Sequence, residues 1–353
     1  MIDWHASGLI VRPEFYLVDS RTLDDLGPLE GVTSYSLAES WRGKYRQTGS
    51  VELDGAELPA WAAVRAFVVA SDGAESQRVE LATLYPYAAP ETQTRYGRDI
   101  NAYDLASMMR KLGDNLNDSD TAIGAGWSAA GHFSWCCEQC GAVPGVHPGI
   151  DSTTKSPRVW EAGESYLTEA HAMADACGGR VEPDAHGRVC LVPYQYPAKV
   201  APSFELRPGA GSVVHVGLDY ERPEIINKVV AVYEQGDDRR SVVATVPVSH
   251  PWHYSRIGRW AAMEVRPSQV ADGADIMAVL RALASQTLAE HSDVRGVYSV
   301  EAAFTPLRVG QAGTLYYSDA PGMAPRIVSG FVSGREVKWD GAGVSMSLTI
   351  EEV

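Results

Sequence analysis

The chain has 353 residues, 45% of them hydrophobic and 21% charged, with a net charge of −15; this is the make-up of a folded protein long enough for two or three domains. The acidic excess argues against a general nucleic-acid-binding surface, which needs Lys and Arg to release counterions. The first 19 residues, MIDWHASGLIVRPEFYLVD, have no basic start and no long apolar core, and the longest apolar stretch, near 60–70, is broken by Arg65. Neither a signal peptide nor a membrane span is expected, and the chain is read as made in a cytoplasm and remaining soluble.

Residues 8–100 alternate apolar and polar side chains in short runs. The pattern predicts strands at 9–18, 32–39, 47–53, 64–70, 79–85 and 92–100, divided by turns such as Asp54-Gly55 and Asp72-Gly73. Tight turns without a crossover helix imply an antiparallel barrel or sandwich rather than a parallel sheet. The periodicity then changes. Tyr103, Leu105, Met108, Met109 and Leu112 predict an amphipathic helix over 102–112. A polar loop at 114–120 leads to a helix over 133–142, and a third helix is expected at 165–176, stopped by Gly178-Gly179. A hairpin follows, 180–183 with 188–193, turning at 184–187.

Beyond a proline-containing link at 193–208, strands are expected at 213–220, 227–234 and 241–248, the last two joined by the polar turn 235–240. A long helix over 273–292, capped by Asp272 or Asp275, carries the stripe Ile276, Val279, Leu280, Leu283 and Leu288. Strands resume at 296–304, 312–317, 326–337 and 343–351. The predicted fold class is β-rich α+β: two antiparallel β-barrel domains, 1–103 and 201–353, separated by a small inserted α/β domain at 104–200.

Catalytic, cofactor and metal residues are all expected to be absent. The five cysteines are Cys136, Cys137, Cys140, Cys177 and Cys190; an odd number without a secretory signal argues against a disulfide framework. Cys137 and Cys140 have metal-ligand spacing, with His132 and His147 nearby, but no second pair completes a tetrahedral zinc site. Phe133, Cys136, Cys137 and Cys140 also fall on one helix face, where free cysteine packs as a small hydrophobe. His250 and His253 form a close pair in a Pro-Trp loop, too few ligands for a zinc peptidase. Cys190 and His186 lie close in sequence, but Cys190 reads as a strand cysteine beside Val189 and Leu191. The nine tryptophans, among them Trp127, Trp135, Trp160, Trp252 and Trp260, suit interface anchors better than sugar platforms.

Four local features carry a family resemblance. The strand pair after Asn227 is followed by the run YSRIGR at 254–259. The helix at 273–292 leads directly into a strand. The turn TPLRVG at 305–310 precedes the strand residues TLYY at 314–317. The run WEAGESYL at 160–167 opens a helix that ends in Gly-Gly before a hairpin. In this order they resemble the tail hub proteins of tailed bacteriophages, the baseplate or tail-tip hubs also called tail-associated minor tail proteins. The match departs at Val309-Gly310-Gln311, where related hubs place a turn containing Asp. The resemblance implies a non-enzymatic homotrimer whose paired barrels give a pseudo-sixfold ring at the virion tail tip, assembled in the host cytoplasm. The ring would cap the tail tube or a distal tail protein, hold tape-measure protein in its lumen, and carry distal tip, fibre or spike proteins. DNA would pass without specific binding, which an acidic lumen favours. The alternatives are a tail-associated cell-wall hydrolase or a carbohydrate-binding tip protein.

Overall fold

The alternation of the first hundred residues folds into eight strands: β1 (Ile10–Asp19), β2 (Asp25–Pro28), β3 (Val32–Ser40), β4 (Gln47–Asp54), β5 (Ala62–Ser71), β6 (Ser76–Pro86), β7 (Glu91–Arg95) and β8 (Arg98–Ala106). The computed structural model describes residues 2–4, 8–95, 97–150, 153–154, 157–195, 200–207, 213–219, 226–235, 238–267, 275–292, 296–317 and 326–353. These strands pair antiparallel in the order β3-β4-β8-β6-β5-β1-β2, with β7 on β8. Every residue of β5 from Ala62 to Ala70 is buried, because both faces of the strand are covered. Val64, Ala66 and Val68 enter the main core, while Ala63 faces the next unit along the chain.

That unit begins where the sequence pattern was misleading. The helix expected at 102–112 is instead the end of β8 followed by a short α1 (Met109–Asp114). Tyr103 and Leu105 are two apart and point to one face of a strand; Met109 and Leu112 are three apart and point to one face of a helix. The two periods join without a break in apolar spacing. Next come β9 (Thr121–Ile123), α2 (Ala129–Gln139), β10 (Pro144–Val146), β11 (Arg158–Trp160), α3 (Tyr166–Ala176), β12 (Gly179–Pro183) and β13 (Val189–Pro193). Ser128 and Ser165 cap α2 and α3 by accepting from the N–H groups of Gly131 and Thr168. The helices pack around Met108, Leu112, Phe133, Cys137, Leu167 and Met173, and this cluster includes Val18 and Ala63 from the large sheet and Leu23 from the β1–β2 loop.

The remaining elements are β14 (Phe204–Leu206), β15 (Val213–Asp219), β16 (Lys228–Gln235), β17 (Asp238–Thr245), α4 (Tyr254–Ile257), β18 (Ala262–Val265), α5 (Ile276–Ser292), β19 (Val297–Ala303), β20 (Ala312–Tyr317), β21 (Arg326–Trp339) and β22 (Val344–Glu352). Asp275 accepts from the N–H groups of Met277 and Ala278 at the start of α5; Asp272, the other candidate cap, lies outside the described residues. Strands β15-β19-β22-β21 continue the large sheet, and β21 pairs with β3 from Tyr35↔Trp339 to Ser40↔Gly334. Among the described residues fourteen strands therefore share one sheet, and one core holds Leu37, Val51 and Leu84 together with Val300, Val332, Leu348 and Ile350. The protein is β-rich with few helices, as expected, but no closed barrel forms among the described residues.

The hairpin β16–β17 departs from the expected arrangement. It lies outside the large sheet, in a three-stranded sheet ordered β17-β16-β18 in which β16 and β18 are parallel. Helix α5 covers it, with Leu280 and Ala284 against Ile226, Val229 and Ala231. The stripe read from the sequence serves this small α/β layer. No helix among the described residues is long and apolar enough to cross a membrane.

Candidate functional site: a latched loop and a buried polar cluster

The Pro-Trp-His loop is latched from below by Asn227, which is fully buried. Its Nδ2 donates to the carbonyls of Trp252 (2.8 Å) and Arg259 (3.0 Å), and its Oδ1 accepts from the N–H of Ala261 (2.8 Å). Within the loop His253 caps α4 and accepts from the N–H of Ser255, and His250 Nδ1 accepts from the N–H of Trp252. The loop therefore presents a fixed outer face. Tyr254 stacks on Trp260 at 5.2 Å between ring centroids, both rings are exposed, and Val248 nearby in sequence is 68% exposed.

Two ionic junctions, each around a buried arginine, tie the units together. Arg65, inside the apolar run of β5, donates to Thr83 Oγ1 (2.9 Å), Asp25 Oδ1 (2.6 Å) and the carbonyls of Leu23 and His186. Glu80 lies 3.2 Å from Arg65 and also from His186 Nδ1. The tip of the β12–β13 hairpin is thereby docked on β5 and β6. At the seam between β3 and β21, buried Glu39 meets buried Arg335 at 2.5 Å and accepts from Gln47 Nε2 at 2.7 Å, while Arg335 donates to the carbonyl of Leu307.

A third polar cluster sits between α2 and α3. Glu169 is fully buried; His132 Nε2 lies 2.7 Å from its Oε2, Cys136 Sγ donates to the same oxygen at 3.8 Å, and Asn117 Nδ2 donates to Oε1. His132 is sandwiched between the rings of Trp135 and Trp160, each 5.1 Å away. It also forms part of the wall of a largely apolar cleft of about 410 Å³ beside Trp127, which is 57% exposed. Burial, followed by the charge of Glu169, pushes the Cys136 thiol well above its ordinary range.

No protein-family model matches the sequence, and no curated protein does. Solved structures do match. A tail protein from Neisseria meningitidis MC58 superposes with a TM-score of 0.67 at 11% identity, covering 96% of each chain. A 43 kDa tail protein of prophage MuSo2 from Shewanella oneidensis gives 0.62 at 11% identity, covering 96% of this chain and 98% of that one. The E. coli c3393 protein, a type VI secretion component described as similar to the T4 tail proteins gp27 and gp5, gives 0.50 at 8% identity, over 91% of this chain and 73% of that one. The chain has the fold of bacteriophage tail proteins.

Within this tail-protein fold the residues singled out by spacing are dispersed. Cys137 turns into the helix core with Phe133, whereas Cys136 turns the other way, toward Glu169. Cys140 is half-buried and its thiol is pushed up to about 12 by desolvation and Glu169. His147 accepts from the N–H of Gly149 at the surface, and His186 faces Glu80 and Arg65 rather than Cys190. Cys190, half-buried on β13, has its thiol pushed up to about 12, chiefly by desolvation. The polar turn between β16 and β17 is described only at its ends, where Arg240 pairs with Asp238. Among the described residues, one group of three metal-ligating side chains converges within 4.8 Å: His132, Cys136 and Glu169. Two of its members were not singled out by spacing. The available signal was His132-x-x-x-Cys136, four apart on one helix face, and a glutamate inside the apolar stripe of α3.

Proposed function

We propose that the protein is a structural, non-enzymatic component of a phage tail tip: a hub that assembles as a homotrimeric ring. The observation that carries this reading is the likeness to tail proteins over 96% of the chain. The description of c3393 as similar to T4 gp27 and gp5 favours a hub position within that class. In this reading residues 1–103 and 201–353 act as the two barrel-type units of each subunit, with 104–200 as the insertion. The half-sheets on either side of the β3–β21 seam would alternate around the ring, so that three subunits offer six similar faces to a sixfold tube. Partners on this reading are a tail tube or distal tail protein and the tape-measure protein, with fibre or spike proteins below. The net charge of −15 suits a channel that DNA traverses without adhering. The exposed Tyr254–Trp260 pair on its latched loop is a fitting contact point, since aromatic anchors dominate protein interfaces.

The solution mass tests the ring. Light scattering behind size exclusion should give three times 38.1 kDa, alone or on mixing with the tube protein. A chain that stays monomeric under both conditions contradicts the proposal.

A further inference from the structure

Among the described residues, the hydrogen-bonding and ion-pair partners of the fully buried Glu169 are His132, Cys136 and Asn117, with no Lys or Arg. Burying an ionised carboxylate costs several kcal/mol unless a positive charge or full hydrogen bonding compensates it. The three donor atoms around it are imidazole nitrogen, sulfur and carboxylate oxygen, from one turn of α2 and the facing turn of α3, all within 4.8 Å of one another. A further polar group adjoins Glu169. Asn117 is buried, its carboxamide already meets Glu169 through Nδ2, and its Oδ1 is buried without a hydrogen-bond partner.

We propose that His132, Cys136 and Glu169, with Asn117 Oδ1 or a water as fourth ligand, form a binding site for a zinc-class divalent cation that clamps α2 to α3. The donor set selects the ion: mixed imidazole, thiolate and carboxylate suits Zn²⁺, whereas Mg²⁺ and Ca²⁺ take oxygen ligands. Tetrahedral zinc needs metal–ligand distances of about 2.0–2.3 Å, so ligand atoms stand roughly 3.3–3.7 Å apart. The Cys136–Glu169 separation of 3.8 Å is just above that range, and the 2.7 Å His132–Glu169 contact must open by under about an ångström. His132 and Cys136 are four residues apart on one helix, which sets their side chains on one face. The rings of Trp135 and Trp160 fix the imidazole plane, as neighbours of metal ligands commonly do. The cleft beside Trp127 gives the ion a route to His132. On binding, the Cys136 proton leaves to solvent and sulfur takes the metal as thiolate. The site does not depend on the assembly reading.

Cobalt(II) is the probe. Added to chelator-treated full-length protein, one equivalent should give a near-ultraviolet thiolate-to-cobalt charge-transfer band and visible bands of tetrahedral intensity, both removed by zinc. Cys136→Ser should abolish the charge-transfer band, while Cys140→Ser should keep it. Glu169→Gln, nearly isosteric, should weaken cobalt binding at least about tenfold, and it decides the matter where Cys136→Ser does not fold. The absence of a charge-transfer band in the wild-type protein, its survival in Cys136→Ser, or unchanged affinity in Glu169→Gln would each overturn the proposal.

Discussion

Gly187, at the tip of the β12–β13 hairpin, has φ of 98°, and a Cβ there would stand 2.9 Å from the Cβ of Thr83. Both facts follow from docking: Thr83 Oγ1 donates to the carbonyl of Ala185, and Arg65 reaches the carbonyl of His186. Gly187→Ala should therefore destabilise the protein by about 1–3 kcal/mol, through strain at a positive φ together with the clash. Urea unfolding should show a lower midpoint at an unchanged slope; a wild-type midpoint would mean that the tip is not held on β6. The Asp-Ala-His-Gly turn was legible in the sequence as a hairpin, but its partner was not, because Thr83 lies a hundred residues away and nothing local encodes the contact. The same limit applies to Glu169. Its position in an apolar stripe was visible, but only the packing of α2 on α3 brings it to His132 and Cys136. The Cys137-x-x-Cys140 spacing drew the eye, but Cys137 packs in the helical core with Cys140 against it, while the neighbouring Cys136 is the cysteine that meets Glu169.

At the scale of elements, the seam between β3 and β21 joins the two halves of the large sheet. Glu39 and Arg335 lie opposite one another in its register and are both buried. Removing one partner of such a pair leaves an uncompensated buried charge. Glu39→Ala should cost about 3–5 kcal/mol, and Glu39→Leu combined with Arg335→Met should cost less than either single change. Denaturant melts of Glu39→Ala, of Glu39→Leu and Arg335→Met singly, and of the double variant check this; additive losses in the double variant would show that the two charges do not act as a pair. The strands themselves were largely readable, since alternation and Asp-Gly turns are local signals. Short strands such as β2, β9, β10, β11, β14 and β18 were not, because four residues or fewer carry too little pattern to register. Where β8 passes into α1, Tyr103, Leu105, Met109 and Leu112 satisfy part of each period, and the pairing of β4 with β8 decides in favour of strand. The hairpin β16–β17 was correctly seen as two strands and wrongly placed. Alternation shows that a strand has a buried face, but not which sheet or helix supplies the cover, and here α5 does.

For the whole molecule, the sequence resemblance and the superpositions agree on a tail-protein fold at about 11% identity. Such agreement without sequence similarity is expected where fold depends on apolar pattern and element order rather than on particular residues. The absence of a closed barrel among the described residues changes the architectural picture: the two β-rich halves share one sheet and one core. The small α/β layer of β16, β17, β18 and α5 stands outside that sheet and displays the Tyr254–Trp260 pair. The most direct test is electron cryo-microscopy of the assembled tail. The hub reading predicts three copies of this chain around the tail axis at the tip, with the two half-sheets of each copy forming a pseudo-sixfold layer in register with the last tube ring. Density for the chain away from the axis, or in a number other than three, would contradict it.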